Sequence, residues 1–285
     1  MRVLITGGTG FIGRHCADAF EAAGHEVHTA HRSGRDGRDW RFDLLQEEHR
    51  RAILELVAPH VILTCAWGME QDFWTDPDNE GWGNATFDLF LKAQKAGVRR
   101  FVGVGSCAEA DPRTPYARAK DECRRSIERS SNGLSWAWTR VFMPIGIGEP
   151  LSKLVPSLAA KFAQGEAAEI SSGKAIRDWI DVQDVGAALA SVALSDVRGV
   201  VDIGTGQPVS VREIAETMAR IAGRPDLLRV GARPDRDEPP WLVADIKALR
   251  DGAHFSPRFS LAHTLAASLH RAQVSATRRQ SGQSL

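Results

Sequence analysis

The sequence predicts an α/β protein, a doubly wound parallel sheet followed by a smaller, mixed C-terminal part. Three observations carry this. Val3-Leu4-Ile5 is an apolar run, as a strand buried on both faces requires, and it leads into the turn Thr6-Gly7-Gly8-Thr9-Gly10-Phe11-Ile12-Gly13. Strand-like runs then alternate with segments of helical period up to Phe142, the order of a parallel sheet with crossover helices. From Met143 the punctuation changes, with Pro144, Gly146, Gly148 and Pro150 interrupting regular structure.

The glycine turn comes first. Gly7 and Gly10 let the backbone turn tightly and approach a ligand, and Gly13, one helical turn on, lets helix and strand pack closely. The N-terminus of a helix leaves amide N–H groups free and carries partial positive charge, which suits a pyrophosphate. Gly7, Gly10, Phe11, Ile12 and Gly13 are therefore candidate dinucleotide contacts; the alternative is a turn with no ligand. The helix is expected over 11–23, stopping at Gly24, and the second strand over 25–30. A carboxylate at the end of that strand would favour NAD. The chain instead has His31-Arg32-Ser33, with Arg35 close by, and a guanidinium and a hydroxyl suit a 2′-phosphate. This favours NADP(H), with NAD(H) as the other possibility; the alternative is a solvated basic loop.

Phe42-Asp43-Leu44 reads as the end of a third strand. Asp43 either accepts a hydrogen bond from an adenine amino group, with Leu44 beside it, or caps a helix beginning near Gln46. The fourth strand runs over 61–67, and Cys65, Ala66 and Trp67 lie where a cofactor would cross the sheet edge. A helix over 78–96, a fifth strand over 101–106, a helix over 116–130 and a sixth strand over 134–142 follow, with Phe142 a further candidate cofactor contact. Beyond them, helices are expected over 151–164, 184–194 and from an Ser210 N-cap to Ala222, with strands over 168–172, 176–180 and 200–203. Residues 226–230, a proline-rich segment over 233–240 and a last helix near Asp245 finish the fold. The tail from about Arg271 is expected to be disordered.

Tyr116-Ala117-Arg118-Ala119-Lys120 places tyrosine and lysine on one helical face. An ammonium beside a phenol lowers its pKa from ~10, so that it can exchange a proton with a substrate oxygen at neutral pH. Tyr116 is the only tyrosine, beside 11 Phe and 8 Trp. The alternative is a half-buried tyrosine next to a surface lysine. Ser106, at the carboxyl end of the fifth strand, strengthens the catalytic reading, because its hydroxyl can hold a carbonyl in line with the phenol. Its own alternative is a serine capping a turn.

These residues resemble the extended short-chain dehydrogenase/reductases, in particular the NAD-dependent epimerase/dehydratase group acting on nucleotide sugars. The resemblance runs to about Leu269. It rests on the TGxxGxxG at Thr6–Gly13, on Ala96-Gly97-Val98-Arg99-Arg100-Phe101-Val102, and on Arg177-Asp178-Trp179-Ile180-Asp181-Val182-Gln183-Asp184-Val185. It implies a Rossmann sheet with Ser106, Tyr116 and Lys120 as the catalytic set. Tyr116 and Lys120 would also touch the cofactor, Ser106 and Met143 the substrate, and Arg177 the diphosphate; the alternative for Arg177 is an ion pair with Asp178 or Asp181. Arg233 or Arg236 would be a second phosphate contact. It also implies a homodimer through helices 78–96 and 116–130.

Three departures carry information. Cys107-Ala108 replaces the Asp-Glu pair of the dehydratases, which argues against 4,6-dehydration; Cys107 is either a proton donor or a small buried residue. Ser106 and Tyr116 are separated by a short loop, which predicts a more open site or a different substrate. Met143 stands where the family commonly has Asn.

The 285 residues divide, by expectation, into a cofactor-binding domain over 1–145 with about 181–205, a substrate-binding part over 146–180 and 206–270, and the tail 271–285. Lys+Arg and Asp+Glu are both 36, which gives no support for a nucleic-acid or membrane partner. The N-terminus enters the first strand directly, without a signal peptide, and four scattered cysteines read as free thiols of a cytoplasmic protein without a metal site. The expected activity is NAD(P)H-dependent reduction of a keto group on a nucleotide-activated deoxysugar. The alternatives are an epimerase with retained NAD and a non-catalytic NADP-sensing protein.

Overall fold

A computed structural model describes residues 1–34, 37–69 and 72–280, so Arg35 lies outside the described residues. The chain forms two compact units. The first comprises residues 1–141, 185–203 and 245–256, and the second 142–184, 204–244 and the chain from 257.

The first unit is built on β1 (Arg2–Thr6), α1 (Gly13–Ala22), β2 (Glu26–His31), β3 (Asp39–Arg41), α2 (Glu47–Val57) and β4 (Val61–Thr64). It continues with α3 (Asn79–Lys95), β5 (Arg100–Ser106), α4 (Pro115–Ser130) and β6 (Ser135–Val141). β7 (Met143–Ile145), α5 (Leu154–Gln164), β8 (Ala168–Ile170), β9 (Ile176–Arg177) and β10 (Trp179–Asp181) follow in the second unit. α6 (Val182–Leu194) and β11 (Gly199–Ile203) return the chain to the first. The sheet of the first unit has seven strands in the order β11-β6-β5-β4-β1-β2-β3, all parallel. Its order runs outward in both directions from β1, so the carboxyl ends of β1 and β4 flank the switch point where such sheets bind ligands. Val3, Leu4 and Ile5 are fully buried, as expected of a central strand, and Leu4, Ile62, Leu89, Phe101 and Trp138 share one core.

The second unit adds β12 (Val209–Ser210), α7 (Val211–Ile221), β13 (Leu228–Val230), β14 (Trp241–Leu242) and α8 (Leu261–Gln280). α5, α7 and α8 pack around Val155, Phe162, Ile214, Met218, Leu265 and Leu269. Ser210 caps α7 through a reciprocal box with Glu213.

Several expectations are corrected. The strand expected over 176–180 is two strands: β9 pairs with β12 and β14, β10 pairs with β7, and the chain turns at Asp178 between them. The third strand ends at Arg41, so that Phe42 and Leu44 turn into the core. No long helix starts near Asp245; residues 245–256 belong to the first unit and hold only a short helical turn, Ala248–Gly252, with Leu249 buried. Residues 271–280 of the tail are helical rather than disordered, and residues 281–285 lie outside the described residues. Leu261, Leu265, Leu269 and Ala272 form a helical stripe against the second core, and no Gly or Pro interrupts residues 273–280. Among the described residues, no helix is long and apolar enough to cross a membrane.

Candidate active site

The glycine turn has the shape a dinucleotide needs. Gly7 adopts φ +70°, and a Cβ there would lie 2.7 Å from the Ala66 nitrogen; a Cβ on Gly13 would collide with the Gly7 carbonyl oxygen. No side chain caps the first turn of α1, and that turn carries no acidic residue. Its leading amides therefore fit a pyrophosphate. Cys65 lies beside the fully buried Cys16 of α1, and burial pushes the Cys16 thiol well above the ordinary range.

The end of β2 differs from expectation. His31 Nδ1 shares a hydrogen bond with Ser33 Oγ at 3.1 Å, and its Nε2 meets Asp39 Oδ1 at 2.5 Å; Thr29 Oγ1 also donates to Asp39, at 2.7 Å. A carboxylate is thus present at this edge, supplied by the next strand, where the sequence of β2 alone showed none. Arg32 is exposed. Asp43 accepts from the Leu45 N–H at 3.0 Å, closing a turn ahead of α2, and Leu44 is a core side chain.

Thr114 caps α4, accepting from the Ala117 N–H at 3.2 Å, and Pro115 opens the helix, which sets Tyr116 and Lys120 on one face. Ser106 ends β5. Its hydroxyl accepts from the Ala108 N–H at 3.2 Å and lies near enough to the Tyr116 phenol to pull its pKa down. Ser106, Tyr116 and Lys120 therefore come together in the first unit.

The expected activation of the phenol by the lysine is not what the structure shows. Tyr116 is 7% exposed and is ringed edge-on by Phe73, Trp74 and Trp67, with ring centroids at 5.1, 5.4 and 6.1 Å. Burial raises its pKa well above the ordinary value, outweighing the nearby Ser106 hydroxyl, which pulls it back. Lys120 Nζ turns elsewhere: it donates to the Val104 carbonyl at 2.7 Å and sits 3.6 Å from the centre of the Trp67 ring. Desolvation pushes the lysine down to about 8. The short loop between Ser106 and Tyr116 thus does not leave the phenol open, because aromatic side chains following β4 cover it. Trp67 is held in turn by its indole N–H, which donates to Asn79 Oδ1 at 2.8 Å.

A residue that the sequence reading passed over lies beneath Ser106. Glu109, in the turn Cys107–Ala110, accepts from the Ser106 N–H at 2.7 Å and from the Trp138 indole N–H with both oxygens, at 3.0 and 2.9 Å. The Ser-x-x-Glu spacing of a capping box was the available signal.

Phe142, Met143, Arg177, Arg233 and Arg236 belong to the second unit. Phe142 is buried, and the Met143 N–H donates to the Asp178 carbonyl at 2.9 Å. Arg177 is buried and pairs with neither Asp178 nor Asp181. Its guanidinium donates to the carbonyls of Ile176 and Pro239 at 2.8 and 2.9 Å and meets Glu238 at 2.9 Å. Asp178 accepts from Thr205 N and Oγ1, Gly206 N and Ala244 N; Asp181 accepts from Thr264 Oγ1, and Asp184 from Arg258 and Phe259. The acids of this signature therefore gather the segments of the second unit. Arg233 is exposed, 3.9 Å from Glu169, and Arg236 is exposed with its charge close to Lys153. Among the described residues, no group of three or more His, Cys, Asp or Glu is arranged to hold a metal.

A parallel sheet with a glycine turn after its central strand, and Ser, Tyr and Lys gathered beside the carboxyl end of β5, defines the Rossmann-type short-chain dehydrogenase/reductase class. The chain belongs to the NAD dependent epimerase/dehydratase family, whose sequence profile residues 3–204 match. It is similar to a dTDP-6-deoxy-L-talose 4-dehydrogenase (NAD(P)(+)) of Kitasatospora kifunensis, 28% identical over 296 residues, covering 91% of this chain and 92% of that one. It is also similar to a UDP-glucose 4-epimerase of Streptomyces lividans, 26% identical over 307 residues, covering 90% and 91%. Among solved structures, the UDP-glucose 4-epimerase of Thermotoga maritima with UDP-glucose shares the fold, with a TM-score of 0.84 at 21% identity over 97% of this chain and 99% of that one.

Proposed function

We propose that the protein reduces a keto group on a nucleotide-activated deoxysugar at the expense of NAD(P)H, with NADP(H) preferred. The observation that carries this reading is the Ser106 hydroxyl set beside the buried Tyr116 phenol at the carboxyl end of β5, with Lys120 one helical turn on. Gly7, Gly10, Phe11, Ile12 and Gly13 would hold the pyrophosphate, and Arg32 and Ser33 the 2′-phosphate. A nicotinamide dinucleotide, when bound, supplies the hydride equivalent.

The chain's own residues do the rest. The Ser106 hydroxyl donates to the substrate carbonyl oxygen and holds it beside the phenol. As that oxygen gains negative charge, Tyr116 passes its proton to it, with the Lys120 ammonium 5.9 Å from the centre of its ring. The apolar surround of Tyr116 keeps the phenol protonated at rest, which suits a proton donor. An epimerase needs the same group ionised for its first, oxidising step, so this favours the reductase. In the second unit, Arg177 clamps the 238–239 segment, and the exposed Arg233 and Arg236 of the same proline-rich stretch are the proposed diphosphate contacts. A homodimer through α3 and α4 belongs to the same proposal.

The test uses the dTDP-linked 6-deoxy-4-keto sugar related to dTDP-6-deoxy-L-talose, with NADPH. One NADPH should be consumed per sugar reduced, and Tyr116→Phe should slow turnover at least ~100-fold. Epimerisation with retained NAD and no net consumption of cofactor would refute the reading.

A further inference from the structure

Glu109 is an expensive residue to keep where it is. Its side chain is fully buried, and burying a carboxylate costs several kcal/mol before its partners offset it. The space it fills is made on purpose by β5. A Cβ on Gly105 would collide with Glu109 Oε1 and the Trp138 indole nitrogen, and a Cβ on Gly103 would collide with the Trp138 ring. Two glycines on one face of the strand thus admit the indole and the carboxylate together. The turn alone does not require the charge, because a Gln completes the same capping box.

We propose that Glu109 is a positioning residue of this site: it fixes the Ser106 backbone, and through it the Ser106 hydroxyl, against the Tyr116 phenol, and serves as the counter-charge of Lys120. This rests on the reading of Ser106, Tyr116 and Lys120 as the reaction centre. The geometry supplies the first half. The 2.7 Å bond from the Ser106 N–H ties the carboxylate to the last residue of β5, and the paired bonds from Trp138 on β6 prevent the carboxylate from swinging away.

The charges around Glu109 supply the second half. Arg140 of β6 brings its Nε to 3.5 Å, and Lys120, Tyr116, Cys123 and Arg124 of α4 all feel the carboxylate. Burial raises the Glu109 pKa, while the bonds from Ser106 and Trp138 and the fields of Lys120 and Arg140 act to keep it ionised. Lys120 loses its water on burial, and Glu109 heads the acidic groups whose fields hold the proton on it. The same charge further disfavours ionisation of Tyr116, keeping the donor protonated.

The experiment follows Lys120 directly, by carbon NMR of the full chain carrying isotope-labelled lysine, with the Lys120 signal assigned by its loss in Lys120→Met. In Glu109→Gln the Lys120 midpoint should fall by about one pH unit. Glu109→Asp keeps the charge but draws it back from Ser106, so its midpoint should stay near that of the wild type. In the reductase assay, Glu109→Asp should slow turnover ~10- to 100-fold at unchanged KM, and should cost nothing more in a Ser106→Ala background. An unmoved midpoint in folded Glu109→Gln overturns the counter-charge, and wild-type turnover in Glu109→Asp, or additive losses with Ser106→Ala, overturns the positioning. Should Gln fail to fold, Glu109→Ala takes its place in the titration, and Glu109→Asp still decides on the positioning. Absence of keto-sugar reduction by the wild type would count against the proposed function, whereas the Lys120 titration still decides on Glu109.

Discussion

Replacing Lys120 by methionine should make the protein more stable at neutral pH while removing its activity. The Lys120 pKa lies at about 8 in the fold against an ordinary 10.5, a depression caused first by desolvation. At ~1.4 kcal/mol per unit, carrying the charge inside the fold costs about 3 kcal/mol at pH 7, where both folded and unfolded chains hold the proton. The cation–π contact over Trp67 returns ~1 kcal/mol, leaving a net cost of about 2 kcal/mol. Methionine keeps most of the packing of the stem and carries no charge. The sign with pH follows from proton counting. Between about pH 8 and pH 10.5 the folded lysine is neutral while the unfolded one is still charged, so the unfolded state binds more protons and wild-type stability rises through this window. Lys120→Met lacks that rise. The raised thiols of Cys16 and Cys123 are present in both proteins; losing the Lys120 charge, which pulls Cys123 down, only raises that thiol further and leaves it protonated in the fold over this window. Urea denaturation at about pH 7, 8.5 and 10 should therefore show Lys120→Met ahead by about 2 kcal/mol at neutral pH, with the gap closing as pH rises. A variant less stable than wild type at neutral pH, or a gap independent of pH, would show that the buried ammonium is fully compensated and that the reasoning is wrong.

Other outcomes follow from single contacts. Asp178→Ala strands three backbone donors and the Thr205 hydroxyl inside the second unit, and should cost about 3–5 kcal/mol in chemical denaturation; a loss under about 1 kcal/mol would mean that water replaces the carboxylate. Gly105→Ala drives a methyl into Glu109 and Trp138, and should cost about 2–3 kcal/mol and alter the near-ultraviolet circular dichroism of the buried indole. Arg32→Ala should weaken NADPH about tenfold, read by quenching of tryptophan fluorescence, and leave NADH nearly unchanged; equal losses for the two would place the 2′-phosphate elsewhere.

What could be read from the sequence was what is local. The glycine turn, the apolar first strand and the alternation up to Phe142 each depend on neighbours within a few residues, and β1 to β6 fall close to where those patterns put them. Ser106 and Tyr116 stand out in the sequence because each sits at an element end that the pattern marks. Their electrostatics were not legible, since the rings that bury Tyr116 come from the loop after β4 and nothing in Tyr-x-x-x-Lys reports them. Asp39 was missed for a related reason, because it reaches the end of β2 across a strand pair. Glu109 draws no attention in the sequence, because the cavity that Gly103 and Gly105 leave for it exists only in the folded sheet. At the end of the chain composition misleads: residues after Arg271 are polar, yet as far as Gln280 they extend a helix anchored by Leu265 and Leu269.

The way the chain is divided has a consequence for how it is made. The first unit draws its last piece from residues 245–256, and the second from residues beyond 256. Neither is therefore complete while the ribosome is still producing the middle of the chain, even though β1 to β6 have long since emerged. Without β11, β6 is left as the edge of the growing sheet. Such an exposed edge during synthesis invites pairing with other chains, and a late-finishing protein of this kind depends on protection of the nascent chain more than its compact final units suggest.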